Sequence, residues 1–216
     1  MSTHPDTDKV ALTARNVSWD WTGLPMHYFD ANPFATHYAN GMNMLLPEGE
    51  VFFVDVFQQA LPLIEDDAVR EDVIGFIGQE GMHAHAHQLV QDYFTEQGMD
   101  NRPYVRDIEY MFQRLLGDRR LEGKKKEEWL IERLALVAAV EHVTAFLGNW
   151  VLNTPALDAA GGDPRMLDLL RWSLRYFSRK YHPKHEGSTA QAVAYLAQSP
   201  AALAADQLAQ DHGLAG

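Results

Sequence analysis

The stretch Gly75–Val90, GFIGQEGMHAHAHQLV, sets one glutamate and three histidines inside an otherwise apolar run. Positions i, i+3 and i+7 of an α-helix share a face. Glu80, His83 and His87 therefore fall in line with Val73, Phe76, Ile77, Ala84, Val90 and Phe94, on the stripe that should meet a core. His85 points elsewhere. An ionised carboxylate buried without a partner is strongly disfavoured, so something must compensate Glu80.

Working outward, the helical pattern extends in both directions. Pro47–Ile64, PEGEVFFVDVFQQALPLI, opens with proline and two acids, which suit a helix N-terminus, and Pro62 should end or kink it. Its stripe is Glu50, Phe53, Val54, Phe57 and Leu61. A second helix is expected from an N-cap at Asp67 to about Gln97, stopped by Gly98. A shorter amphipathic helix covers 102–118. A third long helix covers 126–152, with Leu130, Leu134, Val137, Ala138, Glu141, Ala145, Gly148 and Leu152 on one stripe. NTPALDAAGGDP reads as a loop. A fourth helix over 164–181 would turn Leu167, Leu170, Leu174 and Phe177 inward, and STAQAVAYLA reads as a short final helix. No segment has strand periodicity. The expectation is an all-α chain forming one helical domain: residues 1–40 an extended arm, 41–205 a helical bundle, 206–216 a tail.

Composition narrows the chemistry. The 216 residues carry a formal net charge of −12, which argues against a nucleic-acid partner, since phosphate binding needs clustered Lys and Arg. The one compact basic run, GKKKEE, is followed at once by acids and reads as a solvated helix start. There is no cysteine. Disulfides, thiolate metal sites and cysteine nucleophiles are excluded, leaving histidine and carboxylates as metal ligands. No signal-peptide pattern and no apolar run long enough for an integral membrane segment are visible, so a cytoplasmic protein is expected.

Three separate helices thus place a glutamate on an apolar stripe: Glu50, Glu80 and Glu141. Each has an individual alternative explanation. Glu50 could complement a helix dipole, Glu80 could pair with an arginine of the fourth helix, and His83 could be a satisfied core histidine. Together, three core-facing carboxylates would repel one another unless protonated or held by a cation. Glu-x-x-His on one helix with single glutamates from its neighbours is the ligand pattern of ferritin-like di-iron or di-manganese bundles. The expected metal ligands are therefore Glu50, Glu80, His83 and Glu141, holding one or two divalent ions. Fe or Mn suits this set best and Zn is the next choice. His87 and His142 are placed as supports around the ligands.

The blocks LLPEGEVFF, VIGFIGQEGMHAHAHQ and AAVEHVTAFL, with the closing LRYFSRKYHPKHEGSTAQAVAYL, resemble successive blocks of the bacterial family of predicted metal-dependent hydrolases. The resemblance spans roughly residues 35 to 205. It implies a ferritin-like fold and a metal-activated water as nucleophile toward an unidentified small-molecule substrate. Members of that family normally carry, after the Glu-His-x-Thr-Ala block, a Trp-His and then a Glu-Glu-x-Glu-His run that supplies a second Glu-x-x-His. Here Trp172 is followed by SLRYFSRKYHP, which has no carboxylate, so the bundle is expected to lack one ligand-bearing helix. His182, His185 and Glu186 are candidate substitute ligands, and a homodimer could supply the missing wall. Two other readings stay open: an oxidase or oxygenase using iron at the same ligands, and a non-enzymatic interaction protein whose glutamates pair with Arg171 or Arg175.

Overall fold

The computed structural model describes residues 16–30 and 32–181, together with Ala204, Gln207, Leu208 and Gln210. Its helices are α1 (Pro33–Ala60), α2 (Asp67–Glu96), α3 (Arg102–Glu109), α4 (Lys124–Asn153), α5 (Ala156–Ala159) and α6 (Pro164–Tyr181). A 3₁₀ turn over Leu61–Leu63 follows α1, and α3 runs on into a π-helical stretch, Tyr110–Leu115. No strand forms among the described residues. A single isolated antiparallel bridge joins Phe29 to Gly162. The chain is an all-α helical bundle, and no described helix is long and apolar enough to cross a membrane.

The start of α1 corrects the sequence expectation. The helix does not begin near Pro47 but fourteen residues earlier, at Pro33, where proline occupies the first turn and the Asn32 side chain accepts from the Ala35 N–H at 3.0 Å. Residues 33–40, expected to belong to the arm, are helical. Pro47 lies buried inside α1. A proline there has no N–H to give the carbonyl four residues back, which is that of Asn43. The orphaned carbonyl is satisfied from outside the helix: Gln91 Nε2 of α2 donates to Asn43 O at 2.9 Å. One buried glutamine thus lets α1 run unbroken past its proline.

The other boundaries follow local chemistry. Asp66, one residue before the expected cap, accepts from the N–H groups of Ala68 and Val69 and starts α2. Gly98, with φ +94°, takes the left-handed conformation that ends it. Pro62 closes α1 through the 3₁₀ turn as expected. Within the expected loop 153–164, Ala156–Ala159 forms a short helix. Gly162 then packs against the arm, where a Cβ would stand 2.6 Å from Phe29 Cε1.

The helices pair as α1 against α2 and α4 against α6. Two apolar clusters result. The first joins Phe52, Phe53, Val56, Phe57 and Ala60 of α1 to Val73 and Phe76 of α2 and to Leu130, Leu134, Val137 and Ala138 of α4, with Ala204 and Leu208 buried against it. The second joins Ala86, Val90 and Phe94 of α2 to Met166, Leu167, Leu169 and Trp172 of α6 and to the arm residues Trp21, Leu24, Tyr28 and Phe29. Here α6 departs from its expected stripe: Leu167 is buried, Leu170 is only half-buried, and Met166, Leu169, Trp172 and Ser173 face inward. The arm selects that face. Trp19 meets Trp172 edge-on with ring centroids 5.3 Å apart and donates its indole N–H to Asp168 at 3.1 Å. Leu174 and Phe177 lie outside the residues whose side chains are described, as do those of Ala145, Gly148, Leu152 and Arg175, and the segment STAQAVAYLA lies outside the described residues altogether.

Candidate metal centre

Along α2 the two clusters are separated by a polar belt. Val73 and Phe76 belong to the first, Ala86 and Val90 to the second, and between them Gln79, Glu80, His83 and His87 are all buried. Glu50 of α1 and Glu141 of α4 are buried too. Glu50 sits deep in α1, far from its first turn, so a helix-dipole role does not account for it.

Glu50, Glu80 and His83 bring one ligand atom each to within 4.8 Å of one another. His83 Nδ1 stands 3.4 Å from Glu80 Oε2 and 3.9 Å from Glu50 Oε1. Among the described residues the imidazole is the only ion-pair partner of either carboxylate. Glu50 Oε2 and Glu80 Oε1 are buried with no hydrogen-bond partner among the described residues. Burial first, then the negative charges of Glu80 and Glu141, hold the Glu50 carboxyl well above the usual carboxylate range. Burial and then Glu80 do the same to Glu141. Glu141 therefore feels the trio electrostatically while standing beside it rather than in it. Orphaned carboxylate oxygens, like charges packed together and a converging imidazole nitrogen are the donor set a divalent ion fits.

The far side of His83 is held by two residues that sequence reasoning had not placed at the site. Gln79 Nε2 lies 2.8 Å from His83 Nε2, and the Trp172 ring meets the imidazole edge-on at 4.8 Å between centroids. Thus α6 meets the site with an aromatic ring and no carboxylate. Arg171, offered above as a partner for a core glutamate, instead pairs with Asp158 at 2.8 Å. The Arg175 side chain, and His182, His185 and Glu186 entirely, lie outside the described residues. His85 is exposed as expected and His142 is half-buried.

His87 does not touch the carboxylates. Its Nδ1–H donates to Asn43 Oδ1 at 2.6 Å, and its Nε2 lies 3.0 Å from the Ser173 hydroxyl, which also reaches the Leu169 carbonyl at 3.1 Å. Together with Gln91 this makes a bonded strut joining α1, α2 and α6 next to the trio. Burial, and secondarily the neighbouring His83, pushes the His87 pKa from 6.5 down to about 3. The ring stays neutral in the fold, whereas the unfolded chain takes up its proton below pH 6.5. The unfolded state then binds more protons, so stability from this residue is complete above pH 6.5 and is lost as pH falls toward 3. We expect a loss of about 2 kcal/mol between pH 6.5 and 5. His87→Gln should flatten that slope by one proton in urea unfolding curves; an unchanged slope would place the acid sensitivity elsewhere.

These features define a class: a helical protein with a buried carboxylate–histidine cluster set between two apolar cores. The chain belongs to the family described as predicted metal-dependent hydrolase, whose model matches residues 13–174. The match starts earlier than the resemblance read from the sequence and takes in the aromatic arm. It stops within α6, short of the His-Pro segment. No curated protein and no solved structure matches the chain.

Proposed function

We propose that Glu50, Glu80 and His83 hold a divalent cation in a ferritin-like bundle formed as a single domain, with Glu141 adding negative charge beside it, and that the protein is a hydrolase of small molecules. The observation that carries this reading is the pair of buried carboxylate oxygens, Glu50 Oε2 and Glu80 Oε1, that find no partner among the described residues and are packed beside an imidazole. A bound divalent ion would supply Lewis acidity, lowering the pKa of a water and polarising a substrate oxygen. The chain's own part is to present three ligand atoms from two helices, to exclude bulk water with Trp172 and the two apolar clusters, and to fix the protonation of His83. The family's second Glu-x-x-His has no counterpart in the described part of α6, which favours one ion in the core over two.

Gln79 governs that protonation. As its amide is placed, the NH2 group donates to His83 Nε2, so the imidazole proton sits on Nδ1, facing the carboxylates. Gln79 Oε1 is buried and has no partner among the described residues. For Nδ1 to offer a lone pair to a cation, the proton must move to Nε2, and a half-turn of the amide presents Oε1 to receive it. Gln79→Leu removes that acceptor and should weaken metal affinity about 10- to 100-fold. Chelator-competition titration measures it, and wild-type affinity would remove Gln79 from this role.

The test of the function is metal analysis of purified protein, then chelation, then a hydrolysis screen with the restored ion. About one core ion per chain is expected, and its removal should lower stability by about 2.7 kcal/mol if free metal had stood at 100 times its Kd. Stability and hydrolysis indifferent to chelator would leave the family's chemistry absent from this chain.

A further inference from the structure

We propose that His27 and His37 form a second divalent-metal site, on the surface where the arm crosses α1, taking a borderline transition ion of the Zn2+ class. Both side chains are exposed, and their Nε2 atoms stand 3.2 Å apart. The rings are nearly perpendicular, at 87°, with centroids 5.1 Å apart.

Those numbers discriminate between two arrangements. With zinc–nitrogen bonds of about 2.05 Å, nitrogens at this spacing subtend about 103° at one ion, between the square-planar and tetrahedral angles. An ion lying on both ring axes would set the centroids about 5.0 Å apart, whereas a straight N–H···N bond with collinear axes would set them about 5.5 Å apart. The observed 5.1 Å lies nearer the converging arrangement than the straight bond, and a bent N–H···N bond fits the 3.2 Å contact as well. Water would complete the coordination of an exposed ion, and imidazole suits Zn, Cu and Ni.

The pair is also built in place. The residues beside His27 are fastened to the turns beside His37: the Phe29 N–H donates to Thr36 Oγ1 at 3.0 Å, and the Tyr28 hydroxyl donates to Asn40 Oδ1 at 2.9 Å. Tyr28 and Phe29 are themselves buried in the second cluster. The backbone therefore holds the two histidines side by side before an ion arrives, which reduces the ordering that opposes binding. A bound ion would act as a clasp between the arm and α1. It also changes how a metal count is interpreted, because two ions per chain would arise from one in the core and one on the surface, without a dinuclear core.

Zn2+ titration by calorimetry on protein free of any histidine tag tests this. Wild type should bind one equivalent more than either His27→Ala or His37→Ala. Glu80→Ala should keep the surface ion, and Glu80→Ala combined with His37→Ala should lose it. Cu2+ bound to Glu80→Ala should show imidazole nitrogen coupling in its electron paramagnetic resonance spectrum, absent once His37 is also replaced. Equal stoichiometry in wild type and both histidine variants would overturn the site and leave an imidazole–imidazole hydrogen bond. Loss of the core ion alone, or of the surface ion alone, separates failure of one assignment from failure of the other.

Discussion

Glu80→Ala is expected to leave a folded, helical protein that no longer retains an ion in its core. Glu80 contributes one of three converging ligand atoms, and its charge perturbs the carboxyls of both Glu50 and Glu141. Removal of a group that only supports a ligand weakens metal binding about 10- to 100-fold. Loss of a ligand should exceed that, enough to abolish stoichiometric binding at micromolar protein. Mass spectrometry of the metal content, with the surface histidines accounted for, measures it. Retention of the core ion would sink the assignment.

The same cluster predicts an effect of opposite sign on stability. Without an ion, Glu50 is a buried carboxyl with one oxygen unpartnered among the described residues, pushed well above its ordinary pKa by burial and by two neighbouring carboxylates. Between 4.5 and that raised value the folded chain holds a proton the unfolded chain has released. Stability of the metal-free protein therefore falls as pH rises through this window. Glu50→Gln keeps the shape and removes the ionisable group. It should stabilise the metal-free protein by about 1–3 kcal/mol near pH 8, less toward pH 5, while weakening metal binding. Unfolding curves of both forms across that range, in excess chelator, decide it. A variant no more stable than wild type would mean the carboxylates are satisfied in some other way.

Trp172→Ala is expected to cost about 3–5 kcal/mol, the range for truncating a large buried aromatic side chain. Trp172 is 5% exposed, belongs to the second cluster, stacks edge-on with Trp19 and closes one side of His83. Its removal leaves a cavity that the arm, α2 and α6 share, and opens the imidazole to water. Trp172→Phe should recover most of the stability. If alanine costs under about 1 kcal/mol in urea unfolding, the arm and α6 are not packed as described and the wall around His83 is formed by other residues.

The helices themselves were legible in the sequence, because repeating apolar positions, Asp and Pro at helix starts and Gly98 at an end are local signals. Glu80 and His83 were legible for the same reason. Three residues apart on one helix, they must share a face, and a polar pair on an apolar stripe stands out without any knowledge of neighbours. Pro47 misled because a proline so often opens a helix. Its actual place in mid-helix depends on Gln91, 44 positions further along, reaching back to the carbonyl that the proline leaves bare. The inward face of α6 was only partly legible, with Leu167 buried as expected, because Leu170 and the arc holding Met166, Leu169 and Trp172 are both apolar. Contact with Trp19 and the arm decided between them. Gln79 as partner of His83, the His87–Asn43–Ser173 strut, Glu141 beside the trio and the meeting of His27 with His37 all join groups that no local pattern relates. Periodicity determines what each helix must hide. Which buried groups then touch is set by how the helices rotate against one another, and that is decided only when every orphaned donor, acceptor and apolar face competes for the same space.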